Sequence, residues 1–278
     1  VEPLLAENPN LELIESQDNP TATDDQRAER LRLMAQKGAN PIVVVGFTYA
    51  AALGKVAPEF PDTQWGIVDD SSVTAPNVHS IVFKEEEGSY LVGVAAALKS
   101  KSGNVGFIGG VNTCLITKFE VGFIAGAKAV NPKIKVQSTY ISNFPDFSGF
   151  NDPAKGYEAA KGMYENGADV VYAAAGGTGT GMHKAASEAG KWSIGVDADE
   201  ATYPAHADYT STILTSMLKR VDVGVGAFVA DALAGNPTAG VKTWGFAEGG
   251  VGYTTTGGYI DDLTSKIDEY AAKIASGE

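Results

Sequence analysis

Short apolar segments alternate with longer amphipathic segments along most of the chain. The apolar segments are typical of strands buried in a sheet, and they lie at 41–46, 65–70, 79–83, 105–110, 135–142, 168–175, 193–197, 211–217 and 241–246. Residues 11–15 also alternate in the manner of a strand. The amphipathic segments predict helices at 23–38, 49–60, 85–101, 115–130, 153–166, 180–190, 219–234 and 260–275. Because parallel strands need crossover connections, this alternation indicates an α/β fold.

The strand segments are numerous enough for two separate sheets. Two sheets of about four or five strands each match the usual size of a sheet, and 278 residues suffice for about two domains. The polar segment 99–104 lies between two apolar elements and contains a glycine, so it is the predicted crossing between two lobes.

The charge balance excludes some classes of partner. Lys and Arg total 21 whereas Asp and Glu total 34, which gives a formal net charge of -13. A field of this sign repels nucleic-acid backbones and anionic membrane surfaces, so we expect no nucleic-acid partner. Cys114 is the single cysteine of the sequence, which excludes an internal disulfide and a multi-cysteine metal site.

Catalytic signatures are missing from the sequence. It has no G-x-S-x-G, H-E-x-x-H, GxxxxGK[ST] or G-x-G-x-x-G motif. His79, His183 and His206 are scattered without metal-ligand spacing, so we expect no metal site and assign them no role. The acidic segment 84–93 is interpreted as the solvated start of a helix. A binding protein without a cofactor is therefore favoured over an enzyme.

Polar residues and glycines follow several of the predicted strands, at 46–47, 69–70, 109–110, 173–181 and 195–199. In open α/β sheets, ligands bind beyond the carboxyl ends of the strands. Asp197 follows an apolar strand directly, and its carboxylate could accept hydrogen bonds from the vicinal hydroxyls of a sugar. Lys219 is predicted to start a helix, where it could donate to a ribose oxygen or balance Asp197.

The segment 144–150 has three phenylalanines where loops are normally polar. Exposed rings are stacking surfaces for a flat base. Each of these features also has an ordinary structural interpretation, namely a tight glycine turn, a surface lysine and aromatic rings that plug the core. The residues alone leave both interpretations open.

Several sequence strings together resemble the basic membrane protein family of ABC-transporter substrate-binding lipoproteins, which includes purine nucleoside receptors. They are FKEEEGSYLVG (83–93), VGFIGG (105–110), FEVGFIAGAK (119–128), GFNDPAKG (149–156), AGGTGTG (175–181), GVDAD (195–199) and LTSMLKRVD (214–222). The resemblance runs in order from 38 to 252. It implies a two-lobe periplasmic-binding-protein fold of type I, like that of ribose-binding proteins, with a parallel sheet flanked by helices in each lobe. Lobe 1 is then predicted to comprise 1–103 and 218–244, and lobe 2 to comprise 104–217 and 245–278.

The resemblance also implies which residues bind a ligand. Asp197 and Lys219 match the family residues that contact ribose, and Phe150 matches the aromatic residue that stacks on the base. Gly176 and Gly177 match the glycines at which the backbone meets the ligand. Three further predicted site residues are Phe47 and Asp69, in the matching first-lobe motifs, and Phe147, as a replacement stacking partner.

One departure from the family pattern limits what the sequence predicts. The family opens with a strand ending in Asp, a Gly-Gly loop and an N-D-x-S-F segment that contacts the base, and this sequence starts later. It also starts without the cysteine that carries the family's lipid anchor, so we expect a trimmed, soluble form of an extracytoplasmic, membrane-anchored lipoprotein. The sequence therefore leaves the preferred base open.

The predicted function is to capture a nucleoside and deliver it to an ABC permease. A purine nucleoside is the first candidate ligand. A binding protein for a sugar or a flavin is the first alternative, since a sugar needs the hydroxyl-binding groups but no aromatic surface. A nucleoside-cleaving enzyme is a second alternative, and it would need several aspartates converging on a metal. A ligand-responsive regulator would need a DNA-binding module, and none is visible in the sequence.

Overall fold

The computed structural model describes residues 5–6, 8–19, 22–236 and 239–277. The chain divides into two compact units. Unit 1 comprises Val1–Phe83 and Val221–Trp244, and unit 2 comprises Lys84–Arg220 and Gly245–Glu278.

The helices and strands follow the alternation predicted from the sequence. The strands are β1 (Ile42–Val45), β2 (Trp65–Val68), β3 (Val78–Phe83), β4 (Asn104–Asn112), β5 (Lys135–Asn143), β6 (Val170–Ala174), β7 (Trp192–Gly195), β8 (Ile213–Lys219), β9 (Gly240–Trp244) and β10 (Val251–Tyr253). The α-helices are α1 (Asp24–Gln36), α2 (Ala50–Val56), α3 (Glu85–Lys99), α4 (Cys114–Val130), α5 (Pro153–Glu165), α6 (Gly179–Ala189), α7 (Val221–Leu233) and α8 (Thr264–Ser276).

Unit 1 contains a four-stranded parallel sheet in the order β1-β2-β3-β9. Helix α1 begins where the sequence predicts, because Thr23 and Gln26 form a reciprocal capping box. Trp65 and Ile67 of β2 are fully buried, as is Leu53 of α2, and they lie in the apolar core of this unit. The core fixes β1 and β2, whose carboxyl ends carry two of the predicted site residues.

The strand predicted at residues 11–15 is wrong. These residues form no regular structure, and no strand is paired with them in the described part of the chain. A strand exists only when a neighbour completes its ladder of hydrogen bonds, and an alternating sequence cannot supply that neighbour. Leu13 and Ile14 instead line an apolar groove together with Val43 and Val45 of β1.

Unit 2 contains a six-stranded sheet in the order β10-β8-β7-β6-β4-β5. β10 runs antiparallel to β8, whereas the other neighbours are parallel. The chain leaves β4 for β5 on one side and later returns to β6 on the other side, so β4 is a topological switch point. Ligands of open α/β sheets bind at the carboxyl ends of strands at such a point.

The division between units differs from the predicted division by 20 residues at its first boundary and by three at its second, which lies between Arg220 and Val221. The sequence places the first boundary at 103/104, whereas the structure places it between Phe83 and Lys84. Helix α3 belongs to unit 2 because it packs closely against α4 of the same unit. A Cβ atom added at Gly126 of α4 would lie 2.0 Å from the carbonyl oxygen of Tyr90 in α3, so glycine permits this backbone contact.

The polar segment 99–104, predicted as the crossing, is a turn inside unit 2. The carboxylate of Asp169 accepts hydrogen bonds from the Ser100 hydroxyl at 2.6 Å and from the backbone N–H groups of Lys101 and Ser102 at 2.7 and 2.8 Å. Polar groups of the segment 99–104 therefore serve as hydrogen-bond donors to the Asp169 carboxylate.

Candidate functional site

Predicted site residues lie at the carboxyl edge of the unit 2 sheet. Asp197 follows β7, and Lys219 is the last residue of β8. The backbone N–H of Lys219 donates to the carbonyl oxygen of Asp197 at 2.9 Å, so the two residues lie side by side. The prediction that Lys219 starts a helix is wrong, because β8 continues through Lys219 and α7 begins at Val221.

Asp197 has a strained backbone. Among the described residues, Asp197 and Asp69 are the non-glycine residues with positive φ, at 66° and 70°. Such a conformation costs about 1–3 kcal/mol and persists where the surrounding structure enforces it, often at functional sites. Both aspartates follow parallel strands, one in each unit.

Lys219 is buried, and its ammonium group lies 3.2 Å from Oε1 of Glu85. Oε2 of Glu85 lies 2.6 Å from the ammonium group of Lys118. The interpretation of residues 84–93 as a solvated helix start is therefore wrong for Glu85, which is fully buried because two lysines of distant segments neutralise it. Glu85 determines where the positive charge of Lys219 is held.

The aromatic residue Phe150 lies at the switch-point strand β4. A Cβ atom added at Gly110 of β4 would lie 2.4 Å from the Phe150 ring, so the ring packs directly on this glycine. Gly176 and Gly177 follow β6 and are exposed, and Gly176 has φ of 53°. A Cβ atom on Gly176 would lie 3.0 Å from the Phe150 carbonyl oxygen. The predicted stacking residue and glycine turn are therefore neighbours.

Thr178 fixes the segments that carry Phe150 and the glycine turn. Its buried hydroxyl donates to the Gly149 carbonyl oxygen at 2.7 Å and accepts from the Asp152 backbone N–H at 2.8 Å. Both hydrogen-bonding capacities of the hydroxyl are used, which holds the two segments at a defined separation.

The remaining phenylalanines of this segment are less buried. Phe147 is half-buried, whereas the side chain of Phe144 is 65% exposed, and their rings meet edge to face at 5.9 Å between centroids. Phe144 therefore does not plug the core.

Phe47 and Asp69 lie in unit 1. Phe47 follows Gly46, whose N–H donates to the Val68 carbonyl oxygen at 3.2 Å, and Asp69 follows β2 directly. Both residues lie at the carboxyl edge of the unit 1 sheet, because β1 and β2 are parallel neighbours. The predicted site residues thus form one set in each unit.

Two histidines that sequence reasoning set aside are brought together in unit 2. The rings of His183 and His206 lie 4.8 Å apart between centroids, and both contact Glu200. All three residues are buried, and they form a group among the described residues whose ligand atoms could hold a metal ion. The spacing of 23 positions between the histidines hid this group, but the position of His183 beside Met182 and Ala186 on one helix face could have indicated its burial.

Burial, with the nearby charge of His183, lowers the pKa of His206 below its ordinary value, although the Glu200 carboxylate opposes this effect. His206 is therefore neutral at pH 7 and above. Its Nδ1 lies 3.1 Å from the Glu200 carbonyl oxygen, and since a carbonyl oxygen can only accept, Nδ1 carries the proton.

The parallel sheets, with polar residues at the carboxyl ends of their strands, define an α/β solute-binding protein of the type I periplasmic-binding class. The sequence pattern of the family described as "ABC transporter substrate-binding protein PnrA-like" matches residues 2–278, and the chain belongs to this family. The family prediction from the sequence is thereby confirmed. The protein is the extracytoplasmic substrate-binding component of an ABC transporter, with a small-molecule ligand and a permease partner.

Several curated proteins are similar to this chain. The CD4+ T-cell-stimulating antigen of Listeria monocytogenes is 39% identical over 84% of this chain and 68% of that protein. The ABC transporter nucleoside-binding protein BmpA of Lactococcus lactis is 36% identical over 86% of this chain and 68% of that protein. Basic membrane protein A of Borreliella burgdorferi is 31% identical over 96% of this chain and 76% of that protein.

Solved structures have the same fold. An ABC transporter solute-binding protein from Aeropyrum pernix is similar with a TM-score of 0.81 and 26% identity, over 99% of this chain and 85% of that chain. A solute-binding protein from Conexibacter woesei has a TM-score of 0.76 and 24% identity, over 99% and 89% of the two chains, which shows the fold alone. Within the described ranges, no helix has both the length and the apolar character needed to cross a membrane.

Proposed function

We propose that the protein captures a nucleoside, with a purine nucleoside as the first candidate, and delivers it to an ABC permease. The observation that carries the proposal is the arrangement of Asp197, Lys219 and Phe150 at one edge of the unit 2 sheet. A nucleoside joins a sugar with vicinal hydroxyls to a flat base, and these parts are recognised by hydrogen-bonding charged groups and by aromatic rings. The Lactococcus lactis relative, which is named a nucleoside-binding protein, supports this choice.

Each residue has a proposed role that follows from its chemistry. The Asp197 carboxylate accepts hydrogen bonds from the ribose hydroxyls, and the Lys219 ammonium donates to a sugar oxygen. Phe150 stacks on the base. The exposed glycines Gly176 and Gly177 let the backbone approach the ligand, since they carry no Cβ atom.

Three further residues are proposed as additional ligand contacts. Phe147, half-buried beside Phe144, is a second stacking surface for the base. Phe47 and Asp69 are ligand contacts contributed by unit 1. The strained φ of Asp69 supports its inclusion, because strain of this kind is concentrated at functional sites.

The proposal is a binding function in which no covalent bond of the ligand changes. The protein acts outside the cytoplasm, and we propose that a lipid anchor holds it at the membrane. If the protein were instead a nucleoside-cleaving enzyme, incubation with inosine would release free hypoxanthine, which chromatography detects.

Calorimetry against inosine, adenosine, guanosine, ribose, hypoxanthine and riboflavin tests the proposal. We expect binding of at least one purine nucleoside that is far tighter than binding of ribose or the free base. Asp197→Asn and Lys219→Met should each weaken nucleoside binding by about tenfold to a hundredfold, since a hydrogen bond to a charged group contributes about 1.5–3 kcal/mol.

Asp208→Asn is the matched control, because this exposed carboxylate lies outside the proposed site. Equal affinity for ribose and for nucleosides would favour a sugar-binding protein. Tight binding of riboflavin alone would favour a flavin-binding protein. Unchanged affinity in both Asp197→Asn and Lys219→Met would contradict the proposed site.

A further inference from the structure

His183, Glu200 and His206 form a buried cluster of potential metal ligands in unit 2. Their ligand atoms all lie within 4.8 Å of one another. Nε2 of His183 is 2.5 Å from Oε2 of Glu200, and Nδ1 of His206 is 3.9 Å from the same oxygen. A tetrahedral Zn²⁺ ion with bonds of about 2.0–2.1 Å holds its ligand atoms about 3.3 Å apart. The two separations lie on either side of this value, so a small shift of one carboxylate would equalise them.

The second ring nitrogen of His183 is held by a hydroxyl. Nδ1 lies 2.8 Å from the Ser193 hydroxyl oxygen. Ser193 donates its own proton to the Thr212 carbonyl oxygen at 3.2 Å, so Nδ1 of His183 donates to Ser193. This contact orients the ring and directs Nε2 at the Glu200 carboxylate. Histidines that bind a metal through one ring nitrogen are usually fixed by a hydrogen bond from the other.

His206 and Glu200 have supporting contacts of the same kind. Nε2 of His206 lies 3.1 Å from the Thr180 hydroxyl oxygen. A neutral imidazole can carry its proton on either nitrogen. A metal ion on Nδ1 would leave the proton on Nε2, from which it donates to Thr180, and the ring stays neutral. Oε1 of Glu200 accepts from the Val196 backbone N–H at 3.3 Å, which leaves Oε2 for the metal.

The chemistry of these ligands selects the class of ion. Two imidazoles and one carboxylate suit Zn²⁺ and neighbouring transition metals, whereas Ca²⁺ and Mg²⁺ prefer sets of oxygen ligands. Three protein ligands leave a fourth position for water. Because the cluster is buried, the ion would serve the fold and would not contact a solute.

We propose that His183, Glu200 and His206 bind a divalent transition-metal ion of the zinc type, which joins the segment 196–206 to helix α6. His183 lies on α6, whereas Glu200 and His206 belong to single helical turns of that segment. This site replaces the expectation of no metal site, which rested on the spacing of the histidines in the sequence. Metal binding is measured without solute, so its result is independent of the proposed nucleoside function.

Zn²⁺ titration of untagged, chelator-treated protein tests the site. We expect one equivalent of Zn²⁺ to bind, about a hundredfold or more tighter than Mg²⁺ or Ca²⁺, because those ions prefer oxygen ligands. Zn²⁺ at about a hundredfold excess over its dissociation constant should raise the melting temperature by about 5–10 °C. X-ray absorption of the bound ion should show two imidazole rings, with nitrogen and oxygen atoms at about 2.0–2.1 Å.

His206→Asn and Glu200→Gln each remove one ligand and keep a hydrogen bond. The amide of His206→Asn can still donate to the Glu200 carbonyl oxygen, and the amide of Glu200→Gln can donate to Nε2 of His183. Each variant should weaken Zn²⁺ binding by about a hundredfold or more and lose the rise in melting temperature, since two protein ligands remain. If a variant fails to fold, X-ray absorption of the unaltered protein decides, because a coordination shell without imidazole would overturn the site.

Two control variants separate this site from weak binding at the acidic surface. His79→Asn removes the remaining histidine of the sequence, which lies in unit 1, and Glu188→Gln removes an exposed carboxylate of α6. Both should bind Zn²⁺ like the unaltered protein. Failure of the unaltered protein to bind one equivalent, or undiminished binding in both His206→Asn and Glu200→Gln, would overturn the proposal. The contact of His183 with Glu200 would then be a hydrogen bond that serves the fold without a metal.

Discussion

The buried carboxylate of Glu85 holds the ammonium group of Lys219 at 3.2 Å, although the two residues are 134 positions apart. Oε2 of the same carboxylate binds Lys118, so one negative charge serves two lysines at the edge of the sheet. This ion pair favours one geometry of the Lys219 side chain, since breaking a buried pair costs about 3–5 kcal/mol. The proposed contact of Lys219 with a sugar oxygen would use this geometry.

Removal of this carboxylate should destabilise unit 2 and weaken solute binding. In Glu85→Gln the two lysines lose the buried carboxylate that both contact, and we expect a loss of about 3 kcal/mol in the free energy of unfolding. Urea denaturation measures it. Glu86→Gln is the control on the same helix, because its more exposed contact with Lys118 at 3.8 Å should contribute less than about 1 kcal/mol. Equal losses in the two variants would refute a special role for Glu85.

The contact between Gly110 and Phe150 can be tested by adding one methyl group. In Gly110→Ala the new Cβ would lie 2.4 Å from the Phe150 ring, so the ring must move. We expect nucleoside affinity to fall by about tenfold, because the stacking surface is displaced. Gly162→Ala is the matched control, since a Cβ atom there meets nothing within 4 Å, and it should stabilise α5 by up to about 1 kcal/mol. Calorimetry and thermal unfolding measure the two effects.

Asp169 should make stability depend on pH at the acid end. Burial raises the pKa of this carboxyl group, but hydrogen bonds from Ser100, Ser102 and Lys101 outweigh burial and lower it below its ordinary value. A lowered folded-state pKa contributes stability that is present above the unfolded pKa and is lost as pH falls through the folded pKa. The melting temperature of the unaltered protein should therefore fall more steeply below about pH 4 than that of Asp169→Asn.

At neutral pH the unaltered protein should be more stable than Asp169→Asn. Asp169→Asn loses carboxylate hydrogen bonds to the 99–104 turn and should be less stable by about 1–3 kcal/mol at pH 7. Asp208→Asn, at an exposed carboxylate, should match the unaltered protein at both pH values. A parallel acid response in all three proteins would show that Asp169 is not the responsible group.

The hydroxyl of Thr178 offers a test of how the Phe150 segment is held. Thr178→Val keeps the shape of the side chain but removes both its hydrogen bonds, to Gly149 and Asp152. We expect a loss of about 1–3 kcal/mol in unfolding free energy and weaker nucleoside binding. Thr178→Ser should restore most of both quantities, because it restores the hydroxyl. Unchanged stability and affinity in Thr178→Val would contradict this role of the hydroxyl.

Local pattern predicted helices α1–α8 and strands β1–β9, because these depend on neighbours within a few positions, but it predicted a strand at 11–15 that does not form and missed β10. It misplaced the boundary between units because glycine-mediated contact of α3 with α4 decides where α3 belongs, and hydropathy does not show such contacts. It also missed the contact of His183 with Glu200 and the burial of Glu85. Those features arise between residues that the fold brings together, so a sequence pattern offers only indirect signs of them.

The outer edge of β1 has a consequence for how the protein behaves in concentrated solution. In the described residues β1 is the terminal strand of its sheet and pairs with β2. The Val45 side chain, beside the groove that Leu13 and Ile14 line, is 64% exposed. Backbone groups along such an edge can recruit a strand from another molecule. The net charge of -13 opposes that encounter through mutual repulsion, and salt screens the repulsion. Self-association should therefore increase with ionic strength, so dilute, low-salt buffers suit storage of this protein.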